Sequence, residues 1–230
     1  MQILSKEFVV GENFSGISEE FLKNNESSFD MLGEASRTEE QSKKYYDAYK
    51  RAIEKTHDIN NKYKSNNGVS IKLSALFSRY EMLQEKSVQK VLFNRIQALI
   101  NLAIDKDVEI TIDAEEQDRL SLSIDIIDRL FLSKRIVDSD KVGLAIQAYG
   151  KRSINVINHF ENLLHKRNSI HIRLVKGAYW DYEIKNAQLN GYPEYPVFTS
   201  KYLTDLNYLS CAKKIFSIKK VFPKFATHNA

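Results

Sequence analysis

The sequence predicts an α/β fold in which parallel strands alternate with helices. Three observations carry this expectation. From residue 69 onward, short segments rich in β-branched residues alternate with longer amphipathic ones. The connections between the short segments have helical periodicity, so they are crossovers rather than hairpin turns. Within the first four short segments, apolar residues alternate with polar ones. Strand, helix, strand in that order implies parallel pairing by right-handed crossovers, in a doubly wound sheet or a β/α barrel.

The elements follow in order. Residues 14–35 are expected to form one or two short helices. Thr38-Glu39-Glu40-Gln41 is a capping-box pattern, and Tyr45, Tyr46, Tyr49, Ala52 and Ile53 then recur at helical spacing. Lys64-Ser65-Asn66-Asn67-Gly68 breaks that pattern and marks a boundary between a helical segment, 1–67, and the alternating region, 68–230. Strands are expected at Val69–Leu76, Val108–Ala114, Val142–Ala148, Ile170–Val175 and Phe225–Asn229. Val88, Val91, Leu92, Ile96, Leu99 and Ala103 form the stripe of one helix. Further helices are expected around Gln117–Leu132, Arg152–Lys166 and Leu203–Ile218.

Composition narrows the function classes. The chain has 230 residues, enough for one large domain or two small ones, and 34 basic residues against 30 acidic ones leave a net charge of +4. Those charges are mixed rather than gathered into a basic stripe, so no nucleic-acid partner is expected. Cys211 is the only cysteine, so no internal disulfide can form, as in a reducing compartment. Lys6 and Glu7 interrupt the apolar stretch that a signal peptide would need, and no run approaches the roughly 20 apolar residues of a membrane span. The expectation is a cytoplasmic protein, with peripheral contact at the inner membrane. The five histidines lack metal-ligand spacing, so no metal is expected. G-x-G-x-x-G, the P-loop and G-x-S-x-G are all missing, which removes support for those chemistries.

The strands carry the chemical signal. Lys72, Asp113, Gln147 and Arg173 each oppose an aliphatic face and sit toward the C-terminal end of their strand. In a β/α barrel the aliphatic face meets the helices and the C-terminal strand ends build the active site. A buried unpaired ion costs several kcal/mol. Four strands making the same choice suggest a polar cavity that holds a ligand. The competing account, a solvated antiparallel sheet, conflicts with the helical connections. Taken alone, Lys72 or Lys176 would also suit a Schiff-base aldolase.

At these strand ends the sequence is similar to the proline dehydrogenase domain of the bacterial proline-utilization A family. The matching stretches are Ser70–Leu76 (SIKLSAL), Ile112–Leu120 (IDAEEQDRL), Ile146–Tyr149 (IQAY), Ile172–Asp181 (IRLVKGAYWD), Tyr195–Thr199 (YPVFT) and Phe225–Ala230 (FATHNA). Phe29–Ala35 (FDMLGEA) resembles the helical segment that precedes the family's barrel. The resemblance implies an incomplete (β/α)8 TIM-like barrel of about five strands after a small helical segment. It implies FAD as cofactor, L-proline as substrate, 1-pyrroline-5-carboxylate as product and a quinone as electron acceptor.

Carried over residue by residue, the resemblance implies these roles. Lys72 would help hold the proline carboxylate, with Asp113 paired to it. Arg173 would sit near the flavin N5 region and Tyr179 would contact substrate. Gln147 would bond the flavin ring edge. Val175, Gly177, Ala178 and Trp180 would line the cofactor, with Gly177 allowing close backbone approach. Thr199, Lys201, Thr227, His228 and Asn229 would contact the ribityl, pyrophosphate or adenosine portion.

The sequence also departs from the family. Phe77-Ser78 stands where the family has His-Pro, Phe198 where it has tyrosine, and Gly150 where glutamine is common. The stretch ends on its fifth expected strand, whereas a whole barrel has eight. Two alternatives follow: an enzyme portion completed by another chain that supplies the missing strands, or a truncated remnant without catalysis. Little proline-dependent turnover is expected of this chain alone.

Overall fold

The computed structural model describes residues 14–31 and 33–227. Its centre is one parallel sheet of six strands in the order β1-β2-β3-β4-β5-β6: Ser28–Asp30, Gly68–Ile71, Glu109–Ile112, Val142–Gln147, Ile170–Val175 and Val221–Phe225. Each strand pairs with the next in sequence, the order of a barrel wall rather than of a doubly wound sheet.

Seven helices of six residues or more accompany the strands: α1 Glu19–Asn24, α2 Glu39–Tyr63, α3 Phe93–Asp105, α4 Leu120–Phe131, α5 Ser153–Leu163, α6 Trp180–Leu189 and α7 Lys201–Phe216. A π-helical turn, Val88–Leu92, leads into α3. Thr38 caps α2 as its pattern predicts, accepting from the Gln41 amide at 3.1 Å. The Gln41 side chain reaches back one residue further than the usual box, to the Arg37 amide at 2.8 Å.

Register places the side chains. Val69, Ile71, Ile110, Ile112, Val142, Leu144, Ile170, Ile172 and Leu174 share the face packed against helices, and all are buried. Each contributes about 2 kcal/mol by leaving water. The helical stripe Val88, Leu92, Ile96, Leu99 and Ala103 packs in the same core. On the opposite face lie Ser28, Asp30, Ser70, Lys72, Glu109, Thr111, Asp113, Gln147, His171, Arg173, Phe222 and Lys224. Sheet and helix layers therefore follow the alternation seen in the sequence.

Four local expectations need correction. Residues 28–30 form β1, where only helices were expected, and β1 joins the sheet although it precedes residue 68. The second strand stops at Ile71; Leu73–Leu76 is a helical turn, pinned because the Ser74 amide donates to Glu115 Oε1 at 3.0 Å. Trp180–Leu189 is an unexpected helix. The last strand lies at Val221–Phe225 rather than Phe225–Asn229, whose final two residues fall outside the described ones. Pro223 disguises β6, since proline normally argues against a strand. It is tolerated here because the Ala226 amide donates toward β5, so by alternation the proline nitrogen faces the free edge.

Two further facts bear on the surface. Beside that edge, α7 exposes Leu206, Leu209 and Phe216. Among the described residues, no helix is long and apolar enough to cross a membrane.

Candidate active site

Because each helix returns antiparallel to its strands, helix amino ends and strand carboxyl ends gather at one rim of the sheet. Three of the residues singled out in the sequence meet there. Lys72 Nζ donates to Asp113 Oδ2 at 2.9 Å, and Arg173 Nη2 donates to Asp113 Oδ1. Asp113 thus joins a cation from β2 to one from β5. Arg173 also donates to Ser70 Oγ at 3.0 Å, and Ser70 shares a hydrogen bond of 2.9 Å with Ser28. The Lys72 amide donates to the buried Tyr49 hydroxyl at 3.1 Å, which ties the site to α2.

Charge follows from these contacts. Burial disfavours the Lys72 ammonium, but Asp113 and Asp30 more than offset it and raise its pKa well above the usual lysine value. Burial drives the Asp113 carboxyl upward, while Arg173 and Lys72 pull it down. The net direction is upward, burial being the larger cause, while the two bonded cations favour the carboxylate form.

Gln147 lies apart from that chain of charges. Its Nε2 donates to the Glu115 carbonyl at 2.8 Å and its Oε1 accepts from the Ala178 amide at 3.2 Å. One amide N–H remains free of those two bonds. Gly177 has φ +136°, and a Cβ there would sit 2.5 Å from the Tyr149 ring. The close backbone approach it allows is therefore to Tyr149. Val175 ends β5 on the inner face. Tyr179 donates to Glu34 Oε2 at 2.9 Å, and Trp180, at 42% exposure, donates from its indole nitrogen to the Phe198 carbonyl at 3.0 Å.

The segment before α7 folds back over β4: Phe198 donates its amide to Tyr149 O at 2.8 Å. This brings exposed Thr199 and Lys201 to the rim. Lys176 and Lys201 both grip Asp205, at 2.7 and 2.8 Å. Thr227 is exposed just past β6, while His228 and Asn229 lie outside the described residues.

Several participants escaped the sequence. Asp30 receives Lys72 Nζ at 2.7 and 2.8 Å. Ser28-Phe29-Asp30 repeats the polar-apolar-polar alternation of Ser70-Ile71-Lys72, but over three residues only. Glu34, Glu115, Tyr149 and Asp205 have no such pattern; their roles depend on loop geometry. Burial lifts the Glu115 carboxyl to about 7.

A family model described as proline dehydrogenase matches residues 17–230. The chain belongs to the proline dehydrogenase family. The bifunctional protein PutA of Escherichia coli is 41% identical over 238 aligned positions, covering 100% of this chain and 18% of that protein. PutA of Rhizobium meliloti is 40% identical over 235 positions, with 100% and 19% covered. The chain therefore spans about a fifth of the curated relatives it matches. The structure of Bdellovibrio bacteriovorus proline utilization A inactivated by N-propargylglycine superposes with a TM-score of 0.92 at 28% identity, over 99% of this chain and 26% of that one. A Bradyrhizobium japonicum proline utilization A variant gives 0.84 at 43%, over 90% and 22%.

A flavin dinucleotide has a planar ring with a hydrogen-bonding edge and an anionic diphosphate. The rim residues fit both parts. Gln147 has a second amide N–H, directed at the Tyr149 hydroxyl, beside the one given to Glu115. Lys176 and Lys201 flank the amino end of α7, whose N-cap Ser200 makes no side-chain capping bond, so positive backbone dipole and side-chain charge coincide. Trp180 and Tyr202 offer exposed aromatic faces nearby.

Proposed function

We propose that the rim formed by β2 to β6 binds FAD and L-proline and oxidises proline to 1-pyrroline-5-carboxylate, with electrons passing on to a quinone. One observation carries this reading: Lys72, Asp113 and Arg173, from three strand ends, form a single bonded cluster on the sheet face that also carries Gln147. The flavin, when bound, supplies the acceptor for the two electrons that leave the ring carbon beside nitrogen. The chain supplies position and charge. Lys72 holds the substrate carboxylate as a point charge. Asp113, with one oxygen bonded to each, fixes its distance from Arg173 across the three-strand step from β2 to β5. Arg173, always protonated, places a fixed positive charge where negative charge builds up. Gln147 holds the ring edge, with Val175, Gly177, Ala178 and Trp180 around it. Tyr179 lies on the substrate side, oriented by Glu34. Lys201, with Thr199, Thr227, His228 and Asn229, serves the ribityl, diphosphate and adenosine end.

This reading assigns 68–230 to a partial barrel and 1–67 to a segment that precedes it, with β1 reaching across. A cytoplasmic setting with peripheral contact at the inner membrane remains part of the proposal. An aldolase using a Schiff base is disfavoured. Lys72 is held as a charged ammonium between two carboxylates, and an amine must lose its proton to attack a carbonyl.

The test is purification followed by a visible absorption spectrum and a proline-dependent dye-reduction assay. Flavin absorbance that bleaches with L-proline supports the reading. A colourless, folded chain that takes up no added FAD overturns it. Bleaching without dye turnover supports the flavin and proline sites and assigns turnover to a longer assembly.

A further inference from the structure

An ammonium has three N–H bonds, and three carboxylate oxygens already crowd the Lys72 nitrogen. Two belong to Asp30, at 2.7 and 2.8 Å, and the third to Asp113, at 2.9 Å. A substrate carboxylate reaches Lys72 only by displacing one of these groups. They are not equivalent. The Asp113 side chain is 13% exposed and is also bonded to Arg173, so its departure would strand a guanidinium as well as itself. The Asp30 side chain is 48% exposed, closes the short edge strand β1 and, among the described residues, pairs with Lys72 alone. It can turn into water without leaving a buried charge behind.

We propose that Asp30 is the competing carboxylate of this site, holding Lys72 until a monocarboxylate substrate arrives and then yielding it. Charge balance gives the reason. Lys72 and Arg173 are matched by Asp30 and Asp113, so an added anion leaves one negative charge in excess. Moving Asp30 out to solvent restores neutrality among the four groups that remain. The inference rests on Lys72 being the carboxylate-binding group of the proposed function. It makes a directional claim that a merely structural Asp30 would reverse. Neutralising a competitor tightens carboxylate binding; removing a brace loosens Lys72 and weakens it.

The experiment is pulse acylation of lysines in the full 230-residue chain at pH 9, with Lys72 modification quantified by peptide mass spectrometry. The minor neutral-amine fraction of Lys72 reacts slowly there, so the extent is read relative to each protein's own ligand-free rate. The probe is cyclopentanecarboxylate, a redox-inert ring acid, with cyclopentanol as the uncharged control and Lys201 as an internal exposed reference. The parent is expected to show protection of Lys72 by the acid and none by the alcohol. Asp30→Asn and Asp30→Ser should lower the half-protecting concentration about fivefold, the scale of one partly exposed ion pair. Asp30→Glu, which keeps the charge, should stay near the parent. An unchanged or raised half-protecting concentration in both neutral variants overturns the proposal, as does failure of both to fold. Loss of protection in the parent itself is a different result: it removes Lys72 from substrate binding, and the inference falls together with that assignment.

Discussion

The inner face of the sheet carries charge at two levels, and the two behave differently. At the rim, Asp113 is held by Lys72 and Arg173, and half-exposed Asp30 opens the cluster to solvent. Lower on the same face, Glu109 is held by Lys224, and His171 Nδ1 lies 3.2 Å away without a hydrogen bond, with Phe222 stacked over the imidazole ring. The Glu109 carboxylate is almost entirely buried. Both levels solve the same problem of burying a carboxylate. The exposed member differs: in the upper cluster it is an acid, Asp30, and in the lower a cation, Lys224 at 41% exposure. A charged inward residue therefore indicates an anion site when the exposed member of its cluster is the acid, which can yield its cation to a ligand.

The arginines extend the contrast. Arg173 at the rim is paired with a carboxylate. Arg167, in the turn before β5, is buried against the Phe131 ring and against carbonyls: Ile136 and Ser169 at 2.6 Å and Ser139 at 2.7 Å. Burial without a carboxylate in contact brings its pKa down to about 10, so the carbonyl cage is what holds it. Such caging at the N-terminal face of a barrel wall belongs to stability.

Four substitutions test that division, from largest to smallest. Arg167→Ala strips donors from several buried carbonyls and should cost about 4 kcal/mol, lowering Tm by about 10 °C in a circular-dichroism melt. Where the variant is folded, ligand binding at the rim should be unaltered; a change there would break the separation of the two levels. Glu115→Gln probes a rim residue that acts on stability. The folded carboxyl titrates near 7 against an ordinary value of 4.5, so the folded state binds the extra proton between those pH values. Its contribution is full below 4.5 and is lost as pH rises to 7, a decline on the order of 3 kcal/mol. Glutamine keeps an acceptor for the Ser74 amide and should flatten that decline in urea titrations at pH 5 and 8. An equal slope in both proteins would remove Glu115 as its source.

Arg173→Met should leave Tm within a few degrees, because Asp113 keeps Lys72. It should weaken flavin binding about tenfold, followed by quenching of flavin fluorescence. Unchanged binding would sever Arg173 from the cofactor. Lys201→Ala removes an exposed pair with Asp205 and should cost below about 0.5 kcal/mol of stability. Its effect on flavin affinity should be about threefold and should vanish in high salt.

Much of this was legible in the sequence because period-2 alternation survives in the fold. Ser70-Ile71-Lys72 and Ile172-Arg173-Leu174 put their charges on the face that alternation assigned them. The capping pattern at Thr38 likewise rests on contacts only a few residues apart. β1 was not legible because three residues are too short for a periodic signal to stand out from the helical segments around them. β6 was hidden because Pro223 contradicts the strand rule unless the direction of its nitrogen is known. The bonds from Glu115 to Ser74 and from Tyr179 to Glu34 join loops 41 and 145 residues apart, and no local pattern encodes them.

Pro223 leaves one consequence to draw. On the outer side of β6, Val221 spends its amide on Ile218, and the proline has none to give. Phe225 is then the only residue of the strand with an N–H to offer a newcomer, against several carbonyls. Any chain docking there is anchored at one end and must bring its own donors, which makes this border selective about what it accepts and a poor template for fibrils.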